Sequence, residues 1–433
     1  MRYAVIGAGA LGLTAATRLA ERGHDVTVLE QGTRPGGLAS SFEVVTDIWL
    51  ERFYHHFFAS DRSAIRLIGE LGLGPRLRWY EPVSTVLVDR VIHRLDSPSS
   101  LLPFAPLSVV DRLRMAMALG LLRAMPTPRL LERATAGAWM RRACGARAHE
   151  VVWGPLLEAK FGRHADVVSM AWMWARLHDR TARLGYLDGG VEILYRALAE
   201  RIEARGGRLR FGAAVSAIRP SGDGIEVAWK REDASEATTE TFDRVVSTLP
   251  PGVTRQLSGQ APADAAGHPP LAAHCLVLAL DRPLTGTYWI GVPGSSWPFM
   301  AVVEHTAMVP PERYGGRHLV YLGAYRPADA DLPQQPPAAQ LAAALPLLQV
   351  LNPAFSTDWV LDAKSFYARN AQPIVDTGYR ARTPGFDTDV PGLFNATMFQ
   401  VYPHDRGQNY SIELAERLVA RLSRVSAPGA PSR

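Results

Sequence analysis

The apolar positions of this chain follow two rhythms. Short strand-type runs stand at Arg2–Ile6, Val26–Leu29, Arg208–Phe211 and Phe242–Leu249. Between them, apolar residues recur at helical spacing over Leu13–Arg22, Ser63–Leu71, Val191–Ala204 and Ser411–Arg424. Runs of the first kind predict buried strands, and spacing of the second predicts helices with one face on a core. The opening thus reads as one strand–helix–strand unit, with a turn at Gly23–His24 and Glu30 closing the second strand.

The middle of the chain is mostly helical. Gly72, Gly74 and Pro75 stop the helix at Ser63–Leu71, the strand-type Thr85–Arg94 interrupts, and helical patterns return at Leu101–Met125 and Trp153–Arg180. From Gly185 the pattern changes. A glycine turn (185–190) and the helix Val191–Ala204 lead to the strand Arg208–Phe211, which predicts a return to the first sheet. Val215–Ile218 and Ile225–Trp229 flank a turn at Ser221–Gly224 and read as a hairpin, and Phe242–Leu249 rejoins the sheet. Strand patterns at Cys275–Leu280, Phe299–Glu304, His318–Tyr325 and Trp359–Tyr367 predict an antiparallel sheet. A strand near Gly392–Ala396, the closing helix and a disordered tail at 425–433 complete the chain.

Chemistry enters at the glycines. Gly7, Gly9 and Gly12 stand in Gly7-Ala8-Gly9-Ala10-Leu11-Gly12, between the first strand and its helix. Gly7 permits the tight turn, Gly9 lets backbone N–H groups approach a pyrophosphate, and Gly12 lets the helix pack close to the sheet. Glu30, about 20 residues on, is placed to accept ribose hydroxyls. Together with Ala10, Leu11 and Gln31 these residues predict a dinucleotide site. A second glycine turn, with Arg34, Gly36, Gly37 and Leu38, predicts further donors beside the first.

Composition narrows the rest. At 433 residues two or three domains are expected, and 47 % hydrophobic against 21 % charged residues is ordinary for a globular protein. A net charge of +5 without a basic run among aromatics argues against a nucleic-acid partner. Cys144 and Cys275 lack metal spacing, and the adjacent His55 and His56 cannot share one helix face, so no metal is expected. The chain begins directly on a strand and has no run of about 18 apolar residues, which predicts a cytoplasmic protein. The stretch 101–125, apolar with Arg112, Arg114 and Arg123, reads as a core helix, with peripheral contact at the inner membrane face or a lipid-like tunnel as the other readings.

These residues, in this order, resemble the FAD-dependent amine oxidase superfamily, which includes protoporphyrinogen oxidases, phytoene desaturases and, more distantly, UDP-galactopyranose mutases. The likeness rests on the first glycine turn with Glu30, on Arg34-Pro35-Gly36-Gly37, on the 185–190 turn, on 206–218, on Ser247–Pro251 and on the C-terminal element from Gly392 through Arg406-Gly407-Gln408-Asn409-Tyr410-Ser411. It implies an α/β fold: a Rossmann-type, glutathione-reductase-like FAD-binding domain (1–60, 185–260 and 386–424) and a second α+β substrate domain (61–184 and 261–385). It also implies that Glu30 binds the adenosine ribose, that Arg34, Gly36 and Gly37 lie along the flavin's phosphate and ring side, and that Val215 holds the adenine through its backbone. Arg406, Gly407, Asn409 and Tyr410 belong to the element that meets the flavin pyrimidine.

Two departures matter. Phe394-Asn395-Ala396-Thr397 stands where relatives carry Gly-Asp, with Asp405 as the substitute carboxylate. The strand 298–305 has no lysine, and Lys160, Lys230 and Lys364, the chain's three lysines, lie in other segments. The resemblance then implies an FAD oxidoreductase that oxidises or desaturates a hydrophobic, isoprenoid-like or other small organic substrate, not a simple amine. A flavin-dependent isomerase or mutase without net redox is the alternative, and a flavin-bearing binding protein a third. Glu304, His305, His56 and Tyr402 are the candidate catalytic groups, with His55 and His404 as further polar neighbours.

Overall fold

The computed structural model describes residues 1–222, 224–261 and 267–425. The tail expected from 425 falls outside the described residues from 426 on, while the closing helix, Gln408–Val425, runs one residue further than its pattern suggested.

Five parallel strands form the first sheet, in the spatial order Arg208–Phe211, Asp25–Glu30, Arg2–Ile6, Arg244–Ser247, Leu393–Asn395. Val5 sits between Val28 and Val246 in register, and all three are buried. A parallel sheet covered on both faces needs such unbroken apolar strands. One face carries the helices Ala10–Ala20, Glu192–Glu203 and Gln408–Val425, packed through Leu13, Leu19, Leu194, Leu198, Leu418 and Val419. The other face is covered by an antiparallel three-stranded sheet, Ala213–Ser221, Gly224–Arg231 and Thr238–Phe242, whose Ile218, Val227 and Trp229 meet Ala4, Ile6 and Val245. Thr238–Phe242 carries no strand signal of its own. It pairs on one side only and exposes Thr238 and Thr239, so its sequence needs a single fully buried residue, Phe242.

The second sheet has seven strands: Val360–Gln372, Leu271–Leu280, His318–Arg326, Ala301–Glu304, Trp289–Gly291, Ser84–Val88 and Val91–Arg94. It is not purely antiparallel, because Trp289–Gly291 pairs with Ser84–Val88 in parallel and thereby joins the two halves of the chain's second region. The last two strands are closed by Asp89 and Arg90, at φ of 48° and 63°, the left-handed pair that a two-residue hairpin turn requires.

Helices Val109–Ala124, Ala136–Cys144 and Met170–His178 pack against Val86, Val88 and Leu271. The first of them buries Met115, Ala118 and Leu122 but leaves Val109, Val110, Leu113, Met117 and Leu121 on the outside, Met117 at 70 % exposure. Its expected role as a core helix therefore holds for one face only.

Candidate functional site

The glycine turns form a cradle whose shape depends on missing side chains. Gly7 sits at φ 102°, a Cβ on Gly12 would lie 1.9 Å from the Gly7 carbonyl oxygen, and one on Gly37 would lie 3.2 Å from the Gly9 Cα. The Gly36 N–H donates to the Ala8 carbonyl at 2.8 Å, which ties the second turn, with Leu38 and the accessible Gly37, to the first. A Cβ on Gly9, in contrast, would meet only the Gly37 Cα, at an ordinary 3.8 Å. That side of Gly9 is open to an approaching ligand. No side chain caps the first turn of Ala10–Ala20, so the N–H groups around Ala10, Leu11 and Gly12 are free to meet an anion. These residues fit a dinucleotide pyrophosphate.

Glu30 closes the turn through two 2.7 Å bonds, accepting from the Ala8 and Gly32 N–H groups, and each carboxylate oxygen retains a lone pair for a hydroxyl. Gln31 is exposed beside it. The Gly212 N–H donates to the Gly32 carbonyl, which brings the strand holding Val215 next to Glu30, and a bulge after Val215 interrupts its pairing. Arg34 is turned elsewhere: it bonds Glu192 at 2.5 Å and stacks 3.6 Å over Trp49, so it pins the second turn to the helix Glu192–Glu203.

In the C-terminal element the side chains make structural contacts of their own. Asn409 accepts from the Ser63 and Ala64 N–H groups and caps the helix Arg62–Glu70, while its own backbone stands in the first turn of Gln408–Val425, just after Gly407. Tyr410 stacks on His404 at 4.3 Å. Asn395 donates to the carbonyls of Ser247 and Leu249 and so ties the last strand to the neighbouring turn. Asp405 does not stand free as a substitute for the ribityl carboxylate. It accepts from Lys160 at 2.8 Å and Arg176 at 3.0 Å. Burial alone would raise its carboxyl, but Lys160, Arg176 and Arg406 overcome that and hold it well below the usual carboxylate range. Burial in turn pulls Lys160 below the ordinary lysine value against the attraction of Asp405. Arg406 donates to the Tyr325 hydroxyl at 2.6 Å.

This ion cluster borders an internal space. Arg180 is exposed by surface area although protein surrounds it, and this enclosure first, then Arg176, pulls its guanidinium down to about 9. Accessible surface on an enclosed side chain faces a chamber. Tyr54, His55 and His56 share that position, each partly accessible and each surrounded. Its floor is the strand His318–Arg326, where Tyr321, Gly323 and Tyr325 face one way. Gly323 makes room for Tyr54, whose ring edge would lie 2.7 Å from a Cβ there.

Of the expected catalytic groups, the structure brings His56 to the chamber. Its Nδ1 is 2.9 Å from the Tyr288 hydroxyl, and burial, then Arg180, pulls its imidazole down to about 3. Glu304 does not fit the role of a substrate base. It is 1 % exposed, and its carboxylate accepts from the N–H groups of Leu284, Thr285 and Gly286 and from the Thr285 hydroxyl, so it holds a loop. His305 is sealed among Tyr186, Tyr314 and Tyr321, with Nε2 2.6 Å from the Tyr314 hydroxyl. Tyr402 stacks on Tyr379 against the helical layer. The floor strand is thus not 298–305 but its neighbour. Arg176, Arg180, Lys160, Tyr54 and Tyr325 were not singled out as site residues. One signal was available for Lys160, a lone lysine in the apolar helix Gly154–Phe161 of a chain with only three.

The sequence pattern of the flavin containing amine oxidoreductases matches residues 12–400. A 15-cis-phytoene desaturase of Capsicum annuum is 27 % identical over 267 residues, 56 % of this chain and 46 % of the relative. The chain thus spans about half the length of the curated relatives it matches. Among solved structures, an oxidoreductase from Methanosarcina mazei aligns with a TM-score of 0.71 at 20 % identity, covering 96 % of this chain and 100 % of the other. A reduced UDP-galactopyranose mutase aligns at 0.73 and 14 % identity, covering 98 % and 96 %. At these identities the structural likeness concerns the fold.

Proposed function

The chain belongs to the flavin containing amine oxidoreductase family, with FAD as its cofactor, and from that premise we propose that it is an FAD-dependent oxidoreductase that removes hydride from a carbon of an organic substrate. The observation that carries this reading is the cluster of Lys160, Asp405, Arg406 and Tyr325 just ahead of the first turn of Gln408–Val425, beside the accessible surface of Arg180 and Tyr54. The bound flavin supplies the hydride acceptor. The chain's own groups would bind and orient. Gly9, Gly37 and the first turn of Ala10–Ala20 hold the pyrophosphate, Glu30 the ribose and Val215 the adenine. Tyr54 and Tyr325 wall the substrate chamber, and His56, which burial and Arg180 keep neutral at ordinary pH, holds the Tyr288 hydroxyl beside it. A simple cationic amine is disfavoured by the surrounding positive charge of Lys160, Arg176, Arg180 and Arg406.

In this reading the segments 1–60, 185–260 and 386–424 form the cofactor domain and 61–184 with 261–385 the substrate domain, a division supported by the two large sheets. The test is anaerobic mixing of the yellow holoprotein with candidate substrates. Substrate-dependent bleaching of the flavin supports net oxidation. Product formation only with pre-reduced flavin, and no bleaching, would support the isomerase or mutase reading, which the arginine-rich chamber also suits.

No helix among the described residues is long and apolar enough to cross a membrane. We propose instead a cytoplasmic protein that touches the inner membrane face through Val110, Leu113, Met117 and Leu121, with Arg123, Arg129 and Arg133 exposed near the end of the same helix to meet anionic lipid.

A further inference from the structure

We propose that the chamber takes a substrate with a carboxylate group, anchored by Arg180 and Arg176, and an apolar body that lies against the aromatic wall. This rests on the redox reading above and names the substrate class for the same site.

The argument begins with charge. Four cationic groups, Lys160, Arg176, Arg180 and Arg406, converge there on one carboxylate, Asp405, which already accepts from Lys160 and Arg176. Asp179, the residue before Arg180, is turned to His178 at 2.8 Å, His404 at 2.7 Å and the Tyr410 hydroxyl at 3.3 Å. Arg180 makes neither a hydrogen bond nor an ion pair with any described residue; its guanidinium lies 5.5 Å over the Phe58 ring, and it feels Asp405 only at longer range, against the repulsion of Arg176. A guanidinium crowded by other cations and without an ion pair of its own is costly, because the distant Asp405 offsets its desolvation only in part. The cost is met when a ligand brings the missing negative charge.

Geometry then selects the anion. A guanidinium presents its N–H groups as a planar fork that matches the two oxygens of a carboxylate, and none of the forks of Arg180 is occupied. Arg176 uses one nitrogen for Asp405, lies over Trp172 and is close enough to Arg180 for its charge to act on it. The walls are apolar and aromatic. Phe58 underlies Arg180, and Tyr54 meets Trp289 edge-on at 5.2 Å. A charged end with an apolar wall fits an aromatic or aliphatic acid better than a hydrocarbon without a polar group.

The test is a titration of the oxidised holoenzyme with benzoate, read as a saturable shift of the flavin absorbance and as heat by calorimetry. Benzamide, the neutral isostere, and inorganic phosphate are run in parallel. Benzoate binding that benzamide and phosphate do not match, and that weakens about tenfold or more in Arg180→Gln, is expected. Arg180→Lys keeps the charge and loses the fork, so it should weaken benzoate to an intermediate degree, and it serves if the glutamine variant does not fold. Equal binding of benzamide, displacement of benzoate by phosphate at the same concentration, or unchanged benzoate affinity in both variants would overturn the proposal. So would a variant in which the flavin reduction potential moves while benzoate affinity stays, since Arg180 would then serve the cofactor. A protein that carries no flavin fails the redox reading, whereas a holoenzyme bleached by its substrate but indifferent to benzoate fails only this one.

Discussion

Replacing Glu304 by glutamine separates two roles that one carboxylate could have. In the structure its Oε1 accepts from the Leu284 N–H at 3.0 Å, and its Oε2 accepts from the Thr285 N–H at 2.7 Å, the Gly286 N–H at 2.9 Å and the Thr285 hydroxyl at 3.0 Å. Glutamine keeps one oxygen. Its best placement puts the carbonyl where Oε2 was, preserves those three bonds, and points its amide N–H at the buried Leu284 N–H. One buried donor left unsatisfied costs about 1–3 kcal/mol, and three bonds that lose their ionic acceptor weaken by roughly 0.5–1 kcal/mol each. The variant should therefore lose about 2.5–6 kcal/mol of stability, a large share of what a domain has. No screening discount applies, since the residue is 1 % exposed. Denaturant unfolding measures the loss, and rapid-mixing bleaching of the flavin, run well below the melting temperature, measures the chemistry. The bleaching rate should stay within about twofold of the parent, against the roughly 100-fold loss typical when a general base is removed. Unchanged stability together with a 100-fold slower reduction would refute this account and return Glu304 to the mechanism.

Four further outcomes are expected. Gly9→Val should abolish FAD retention yet leave the apoprotein folded, because a Cβ at that position meets no protein atom closer than 3.8 Å; normal flavin content in the variant would disprove the cradle. Gly12→Ala should instead damage the fold itself, since its Cβ would lie 1.9 Å from the Gly7 oxygen, and circular dichroism of the apoproteins distinguishes the two cases. His305 is 3 % exposed and burial pulls its imidazole down to about 3, so the native state stays neutral while the unfolded chain gains a proton below about pH 6.5. Its contribution is complete above that value and is lost as pH falls toward 3, roughly 1 kcal/mol of it between about pH 7.5 and 5.5; His305→Gln should show a correspondingly flatter pH dependence in urea unfolding, and an unchanged slope would contradict the burial argument. Vesicles of phosphatidylglycerol should co-sediment with the protein, and Leu113→Ser with Met117→Ser should weaken that about tenfold or more; equal binding of the parent and the double variant would exclude this face as the contact.

The cradle could be read directly from the chain because its constraints are local. Gly7, Gly9, Gly12 and Glu30 lie within one strand–helix–strand unit, and each is dictated by backbone conformation or close approach, which no distant residue has to supply. The parallel strands were legible for a related reason. A strand buried on both faces must be continuously apolar, and that shows in any window of a few residues. The chamber could not be read in this way. Asp405 meets Lys160 across 245 positions and Arg176 across 229, and nothing local distinguishes those basic residues from the exposed ones. Glu304 and His305 looked reactive as a polar pair at a strand end, until tertiary packing gave one to the loop at 284–286 and the other to a cage of tyrosines. A charged side chain's role is set by its partners, and when those come from other sheets and helices only the folded chain decides whether the charge is used up in structure or left for a ligand.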